Sequence, residues 1–425
     1  MGNIQQISEP AGLELLRQEM LAFLRSRRGK VGELTAALVA APSPNLPGDE
    51  TAPAEVVRRA AADLGLPPAR TAAVTPHRPN LILRIDGALP GSHLALCGHL
   101  DTKPVGEAAD EWRTDPFSAT VDDDRLYGLG STDMKGACAA MLLAGAAFAS
   151  VADRAAGSLS LLFTADEEYG SGFGAEFLAR NGLVEADAIL LGEPAGMSRD
   201  WEAIRVVSRG ITGFKVTVQG TQTHSSISDQ VPTVNAVEAM AKVMVGLRKE
   251  LQPRFPPHPL CPNGPTVNIG VLCEGGVGYG VLPGYAEFWS DIRTTPGMSQ
   301  AQLAEDIGTA LDRVRPDVPE AAVGWEFAPA VGWVSPTEVA MDHPLVEATR
   351  RAAERALGEA PPLAAFPGAT DAWAFQGLAG VPTLAAFGPG LLPLAHGPNE
   401  WVSVTALEQA AEIFALAALE FGSGM

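Results

Sequence analysis

The sequence predicts an α/β protein in which a central, mostly parallel sheet is flanked by helices and interrupted by an inserted α+β domain. Three observations favour this fold. Residues 12–200 alternate helical and strand-like segments, the strands are nearly continuous apolar runs, and the pattern changes after about Gly210. Continuous apolar strands are typical of sheets that helices cover on both faces.

Composition and charge narrow the class of protein. The chain has 425 residues, which exceeds one ordinary domain and favours two domains, or one with a large insertion. Fifty acidic against thirty basic residues give a net charge of −20. This charge disfavours nucleic acid and anionic membranes as partners.

The cysteines and the N-terminal residues 1–30 indicate the cellular compartment of the protein. Cys97, Cys138, Cys261 and Cys273 are far apart and show no CxxC spacing, so we expect buried free thiols and a reducing environment. Residues 1–30 have helical spacing of apolar residues and lack the apolar core of a signal peptide. The sequence therefore predicts a soluble, cytoplasmic protein.

Hydrophobic patterning places the elements of the α/β domain. A helix of small residues is predicted over 134–149, and a long final helix begins at Val404. The predicted strands are 80–86, 93–101 and 159–165. The helical and apolar-strand pattern that returns from about Thr337 completes this domain.

A smaller domain is predicted between the two halves of the α/β domain. The alternating strand "FKVTVQ" is followed by a helix, two strands, a second helix and a last strand near "AVGWEFA". This β-α-β-β-α-β order matches the split, ferredoxin-like plait. We assign 208–325 to this lid domain, and 1–207 with 326–425 to the α/β domain.

Polar residues follow the apolar strands, at the edge where open α/β sheets bind ligands. His99 and Asp101 in "LALCGHLDT" lie two residues apart, so their side chains share a face of the strand. A metal-bound imidazole needs a carboxylate or carbonyl at its second nitrogen, and Asp101 could supply it. A histidine that caps the strand, beside an aspartate on a turn, explains the pair equally well.

Further residues with metal-ligand chemistry stand at similar places: Asp133 in "GSTDMKG", Glu168 in "TADEEYG", Glu193 in "LLGEP" and His396 in "LAHGPNE". Taken singly, Asp133 could cap a helix, Glu193 could be a solvated strand end, and His396 could be structural. Together with His99, the set is hard to collect by chance and favours a catalytic or metal site.

The blocks "GHLDT", "GSTDMKG", "ADEEYGS", "GEP" and "AHGPNE" resemble, in this order, the signature blocks of a family of zinc-dependent aminoacylases and carboxypeptidases. The family includes acetylornithine deacetylase, succinyl-diaminopimelate desuccinylase and glutamate carboxypeptidase. The resemblance covers nearly the whole chain. It implies a zinc peptidase-like catalytic, metal-binding domain whose inserted lid also forms the dimer interface.

The resemblance also implies a centre of two metal ions. Its ligands would be His99 and Glu193 at one metal, Glu168 and His396 at the other, and Asp133 bridging both. Glu167 would be the general base, and Asp101 would lie behind His99. Imidazole and carboxylate ligands suit zinc, so we expect two Zn²⁺ per subunit, with Co²⁺ or Mn²⁺ as possible substitutes. Paired metals ~3.5–4 Å apart can act on one water, whose proton Glu167 would pass to the leaving amine.

The lid would supply oxyanion stabilisation and substrate recognition. His224 in "GTQTHSS" would reach the active site of the partner subunit, which predicts a homodimer; the alternative is a surface-loop histidine. Arg293 either pairs with Asp291 or clamps an amino-acid α-carboxylate. Asn268 and Gly368 match further substrate-contacting positions of the family.

One departure from the family pattern concerns Tyr279 and Gly280, which stand where many relatives carry asparagine. The missing amide disfavours diaminopimelate-type substrates, and Tyr279 could form an aromatic wall instead. The leading expectation is hydrolysis of N-acyl-L-amino acids. A metallo-carboxypeptidase or dipeptidase would use the same ligands, whereas the intact set of ligands, Glu167 and Asp101 disfavours a catalytically dead scaffold.

Overall fold

The computed structural model describes residues 11–329 and 331–424, so the first ten residues of the predicted N-terminal helix lie outside the described part. The chain divides into two units. The first is formed within Met1–Val207, Glu338–Phe366 and Thr370–Met425, and the second within Ser208–Thr337 and Pro367–Ala369. The predicted lid boundary at residue 325 falls inside a strand, Ala322–Phe327, of the second unit.

The elements alternate along the chain. The described helices are α1 Ala11–Arg25, α2 Lys30–Val39, α3 Thr51–Asp63, α4 Gly136–Ala149, α5 Ala175–Arg180, α6 Ala236–Glu250, α7 Gln300–Val314, α8 Pro344–Leu357, α9 Ala372–Gly377 and α10 Val404–Gly422. The described strands are β1 Arg70–Ala73, β2 Pro79–Asp86, β3 Leu89–His99, β4 Thr120–Asp122, β5 Arg125–Tyr127, β6 Ala156–Thr164, β7 Ala188–Leu191, β8 Pro194–Gly196, β9 Ile204–Ser208, β10 Gly210–Gln219, β11 Thr223–His224, β12 Thr266–Gly275, β13 Val281–Leu282, β14 Tyr285–Thr294, β15 Ala322–Phe327, β16 Trp333–Val334, β17 Thr337–Glu338, β18 Leu363–Phe366, β19 Thr383–Leu384, β20 Gly388–Leu391 and β21 Trp401–Ser403.

The main sheet of the first unit has the strand order β1-β2-β6-β3-β7-β19. Strands β6, β3, β7 and β19 run parallel, and β1 and β2 extend the sheet antiparallel. Ala95 and Cys97 of β3 pack in one cluster with α5 and α9, while Leu94 and Leu96 point to the opposite face, where α4 and α10 pack. Helices thus cover both faces, which confirms the predicted α/β class.

The second unit has an antiparallel sheet of order β12-β14-β10-β15, with β16 added beside β10. Helices α6 and α7 cover this sheet, and their apolar residues share one core with inward residues of β10 and β14, such as Phe214 and Phe288. The chain order β10-α6-β12-β14-α7-β15 is the predicted split plait.

Capping residues fix several helix starts. Asn235 accepts hydrogen bonds from the main-chain nitrogens of Val237 and Glu238, so α6 begins at Ala236. Ser403 caps α10 in the same way, where the sequence predicts the final helix to begin. Such side-chain acceptors satisfy amides that the first helical turn leaves unpaired.

Two further observations concern the surface. Within the described residues, no helix combines the length and apolar character needed to cross a bilayer. None of the four cysteines forms a disulfide, but only Cys97, Cys138 and Cys261 are buried. The expectation of a buried thiol is wrong for Cys273, because its side chain lies on the exposed part of the edge strand β12.

Candidate metal centre and active site

Three neighbouring parallel strands deliver acidic and imidazole side chains to one edge of the main sheet. Strand β3 ends at His99, β6 is followed by Glu167 and Glu168, and β7 is followed by Glu193. The carboxyl ends of parallel strands meet at the same edge, which is the usual ligand-binding edge of open α/β sheets.

Two groups of metal-ligating side chains meet at this edge and share Asp133. The first donor group is His99, Asp133 and Glu193, and the second donor group is Asp133, Glu168 and His396. In the first group, Nε2 of His99 lies 3.0 Å from Asp133 Oδ1 and 3.8 Å from Glu193 Oε1. In the second, Nε2 of His396 lies 3.2 Å from Asp133 Oδ2 and 3.2 Å from Glu168 Oε2. The ligand atoms of each group lie within 4.8 Å of one another. The two oxygens of Asp133 therefore face two different histidines.

His99 presents Nε2 to the acids because its other nitrogen is held. Nδ1 lies 3.0 Å from the main-chain oxygen of Asp101 and 3.4 Å from Asp101 Oδ1. A carbonyl oxygen only accepts, so Nδ1 carries a proton, and Nε2 is the ring nitrogen that faces the acids of the site. The partner behind His99 is the backbone of Asp101 as much as its carboxylate.

The Asp101 carboxylate also holds the turn that carries the acids after β6. Oδ1 accepts from the main-chain nitrogen of Glu167 and Oδ2 from that of Glu168, both at 3.1 Å. Asn45 donates a further hydrogen bond of 2.9 Å to Oδ2. Asp101 is fully buried, so these donors satisfy a charge that water cannot reach.

Asp133 is held by Glu400 in a comparable way. Glu400 Oε1 accepts from the main-chain nitrogens of Thr132 and Asp133, at 2.8 and 3.1 Å, and Oε2 accepts from that of Gly130 at 3.1 Å. Asp133 has extended dihedral angles and does not cap α4, which begins at Gly136. The helix-cap alternative for Asp133 is therefore excluded.

The crowding of acidic side chains shifts the pKa values of the site in the direction that favours a bound positive charge. Burial, and then the neighbouring Glu193, raise the pKa of Glu167 well above its usual range. Burial, and then Asp133, likewise raise the pKa of Glu193. Hydrogen bonds to Asp133 and Glu168 raise the pKa of His396 to about 10. Crowded buried carboxylates are unfavourable unless nearby positive charge compensates them.

The residues present fit a metal centre. Glu168 Oε1 is buried and has no hydrogen-bond partner among the described residues, as expected of an oxygen that binds an ion. Each group combines one histidine with two carboxylates, and mixed nitrogen and oxygen ligands suit Zn²⁺ and related transition metals better than Ca²⁺ or Mg²⁺.

Asp166, the first of the three acids after β6, has a different environment. Its Oδ1 accepts from Asn45 at 2.9 Å and pairs with the guanidinium of Arg78, which also lies 3.1 Å from Glu50. Asn45 bonds both Asp101 and Asp166, so it links the turn to the loop at 43–50. Asp166 therefore supports the site without being one of its ligating groups.

In the second unit, His224 is exposed and its Nδ1 is occupied. The main-chain nitrogen of Ser226 donates to Nδ1 at 3.2 Å, and the Ser226 hydroxyl lies 2.8 Å away. A backbone N–H can only donate, so the proton of the neutral ring is on Nε2. His224 thus offers an N–H donor. Tyr279, on the loop before β13, is fully exposed.

The remaining substrate residues of the sequence prediction lie on or beside the sheet of the second unit. Arg293 Nε is 3.3 Å from Asp291 Oδ1, and Asn268 donates to the same oxygen at 3.3 Å, so the ion pair with Asp291 is present. The main-chain oxygen of Gly368 accepts from the main-chain nitrogen of Arg209 at 3.0 Å.

Several residues around this site were not predicted from the sequence. Lys103 contacts Glu168, and Asp371 accepts hydrogen bonds from Thr164 and Ser171. Burial raises the pKa of Asp371 to about 6. Lys103 lies in the loop that follows β3, where no sequence pattern selected it. Asp371 contacts residues that are distant in the sequence, so no local sequence pattern could identify it.

Comparison with known proteins gives consistent results. Residues 95–420 match the family described as Peptidase family M20/M25/M40. The acetylornithine deacetylase of Yersinia pestis is 32% identical over 350 residues, which cover 80% of this chain and 82% of the relative. Among solved structures, the dipeptidase Dug1p of Saccharomyces cerevisiae aligns with a TM-score of 0.73 at 15% identity, over 96% of this chain and 98% of that chain. The Bacillus subtilis YXEP protein, described as a dinuclear metal-binding peptidase, aligns with a TM-score of 0.67 at 18% identity, over 94% and 98% of the two chains.

The fold, the two donor groups and the sequence similarity together define the protein as a metal-dependent hydrolase of amide bonds. More particularly, the chain belongs to peptidase family M20/M25/M40, since that family's pattern spans most of its length. The family resemblance noted in the signature blocks is therefore confirmed.

Proposed function

We propose that the protein is a di-zinc amidohydrolase that releases free amino acids from N-acyl-L-amino acids. The observation that carries the proposal is the position of Asp133, whose two oxygens face the histidines of two donor groups. The sequence similarity to acetylornithine deacetylases supports the substrate class. Zinc is the proposed native metal, and Co²⁺ or Mn²⁺ would fit the same ligands.

The proposed ligands form two metal positions. His99 and Glu193 would hold one metal, Glu168 and His396 the other, and Asp133 belongs to both groups. When bound, the metals would supply Lewis-acid activation of water and of the scissile carbonyl. Glu167 would accept a proton from the attacking water and pass it to the leaving nitrogen, a transfer that needs a base with a raised pKa. Asp101 would fix the position of Glu167 through the main-chain hydrogen bond described above.

The second unit would bind the substrate. Arg293 is proposed to hold the α-carboxylate, with Asn268 and Gly368 as further contacts. His224 would donate its Nε2 hydrogen to the developing oxyanion, and Ser226 would keep the ring in the required tautomer. From the family resemblance we infer that this histidine acts in the partner subunit's site, within a homodimer.

A metallo-carboxypeptidase or dipeptidase remains the second candidate. Solved structures with the same fold include dipeptidases, and both reactions need the same ligands and base. The two functions differ in how the substrate lies and in whether the acyl part carries a free amino group. The sequence similarity to acetylornithine deacetylase, at 32% identity, supports the deacylase as the first candidate.

A substrate panel separates the two candidates. Purified protein, loaded with Zn²⁺ or Co²⁺, is assayed for amine release from N-acetyl, N-formyl and N-succinyl amino acids and from dipeptides. We expect release from at least one N-acyl series. Activity on dipeptides alone would reject the deacylase in favour of the second candidate.

A further inference from the structure

Lys103 is a cationic side chain in direct contact with the second donor group. Its Nζ lies 3.3 Å from Glu168 Oε2 and also donates to the main-chain oxygen of Glu168. The same Oε2 lies 3.2 Å from His396 Nε2. An ammonium group has no lone pair for a metal ion, so Lys103 is a positive charge beside the ligands and not one of them.

Among the described residues, the first donor group has no such cationic neighbour. Within the described residues, no lysine or arginine forms an ion pair with Asp133 or Glu193. The two groups otherwise have the same composition, one histidine and two carboxylates, and they share one of those carboxylates. Lys103 is therefore the charge that distinguishes them.

We propose that Lys103 weakens metal binding at the Asp133–Glu168–His396 group, so that this position fills last and empties first. The inference rests on the metal centre of the proposed function. Lys103 engages Oε2 of Glu168, and the buried Oε1, which has no partner among the described residues, is the oxygen left for the ion. The occupancy of this position would follow the supply of metal.

Lys103 has two opposing effects on metal affinity at the second donor group. Their relative sizes decide whether Lys103 strengthens or weakens metal binding there. Holding the Glu168 side chain in place favours binding, and a hydrogen bond between charged groups is worth about 10- to 100-fold in affinity. Repulsion between an ammonium and a divalent ion on the same carboxylate disfavours binding by far more than about 100-fold at a protein-like dielectric constant. Lys103 is about one-third exposed, which screens the repulsion in part but leaves it dominant.

The test is a titration of metal-free protein with Co²⁺, followed by visible absorption of the bound ion and by competition with a chromophoric chelator. Wild type is compared with Lys103→Met and Lys103→Gln, which remove the charge, and with Lys103→Arg, which keeps it. Lys249→Met, at an exposed lysine of α6, is the matched surface control. Circular dichroism verifies that each variant is folded.

We expect two binding steps in wild type, with the second weaker. Lys103→Met and Lys103→Gln should tighten the second step by at least about tenfold and leave the first within about twofold. Lys103→Arg and Lys249→Met should behave like wild type. If the second metal-binding step is unchanged or weaker in both neutral variants, the proposed role of Lys103 is overturned, but the metal centre is not. Failure of wild type to bind any metal overturns the metal centre as well, whereas metal binding without hydrolysis of the panel overturns only the proposed activity.

Discussion

The three consecutive acids after β6 show how one short segment can hold three different environments. Glu168 belongs to the second donor group, where its Oε2 lies 3.2 Å from His396 Nε2, and Glu167 has a raised pKa because it is buried beside Glu193. Asp166 pairs with Arg78 and Asn45. The rigid strand delivers all three, and the contacts of each side chain separate their roles.

Replacement of Arg293 by lysine tests substrate recognition. Lysine keeps the charge but cannot form two parallel hydrogen bonds to a carboxylate, so we expect kcat/KM to fall about 10- to 100-fold, mainly through KM. Steady-state kinetics with N-acyl amino acids measure the change. Arg254→Lys, at an exposed arginine paired with Asp306, is the matched control and should leave kinetics unchanged. Equal effects in both variants would remove the assigned role of Arg293.

The candidate ligands selected from the sequence lie together in the structure, whereas the residues that hold them in place were not selected. The candidate ligands follow apolar strands or stand in recognisable blocks, so local pattern was sufficient to select them. Asn45 and Glu400 were not given roles, because their contacts join residues 121 and 267 positions apart. Such contacts depend on how loops pack, which periodicity does not encode.

Arg78 connects the loop at 43–50 to the turn after β6, because it contacts both Pro47 and Asp166. The guanidinium lies over Gly48, where an added Cβ would come within 1.3 Å of Nη1, and it stacks 5.2 Å from the ring centre of Phe173. Gly48 also has a left-handed φ of 82°. Both the close approach and the dihedral angle therefore require glycine at this position.

Gly48→Ala measures how much this packing contributes. The matched control is Gly29→Ala, because Gly29 has the same φ of 82° and no atom within 4 Å of an added Cβ. We expect the control to lose about 1 kcal/mol of unfolding free energy, from backbone strain alone. Gly48→Ala should lose about 3 kcal/mol more, because the buried Arg78 must leave its acidic partners. Urea unfolding of both variants measures the difference, and equal losses would show that the loop packing contributes nothing.

The whole molecule joins an α/β unit that carries the donor groups to a plait that carries His224 and Arg293. Apolar runs and the β-α-β-β-α-β order were sufficient to predict both architectures. The end of the second unit was harder to predict, because the short strand β16 extends its sheet beyond the last long apolar strand. The assignment of the plait as a dimerisation lid stays a prediction.

Subunit complementation tests the proposed shared sites. His224→Ala and Glu167→Ala each should inactivate a homodimer, since one lacks the oxyanion donor and the other the base. If His224 acts in the partner's site, a mixed dimer holds one site with both residues intact, so subunit exchange should restore up to about a quarter to a half of the wild-type rate. Exchange is confirmed with differently tagged chains. No recovery in verified mixed dimers would contradict shared sites.

The dependence of amide hydrolysis on bound metal and on Glu167 can be measured with a single N-acyl amino acid substrate. Amine release is compared for metal-loaded, chelator-stripped and reloaded wild type, and for metal-loaded Glu167→Gln with its metal content verified. We predict that stripping abolishes release, that reloading restores it, and that Glu167→Gln lowers kcat about 10²- to 10⁴-fold at full metal content. Release that persists in stripped protein, or a wild-type rate in fully loaded Glu167→Gln, would contradict it.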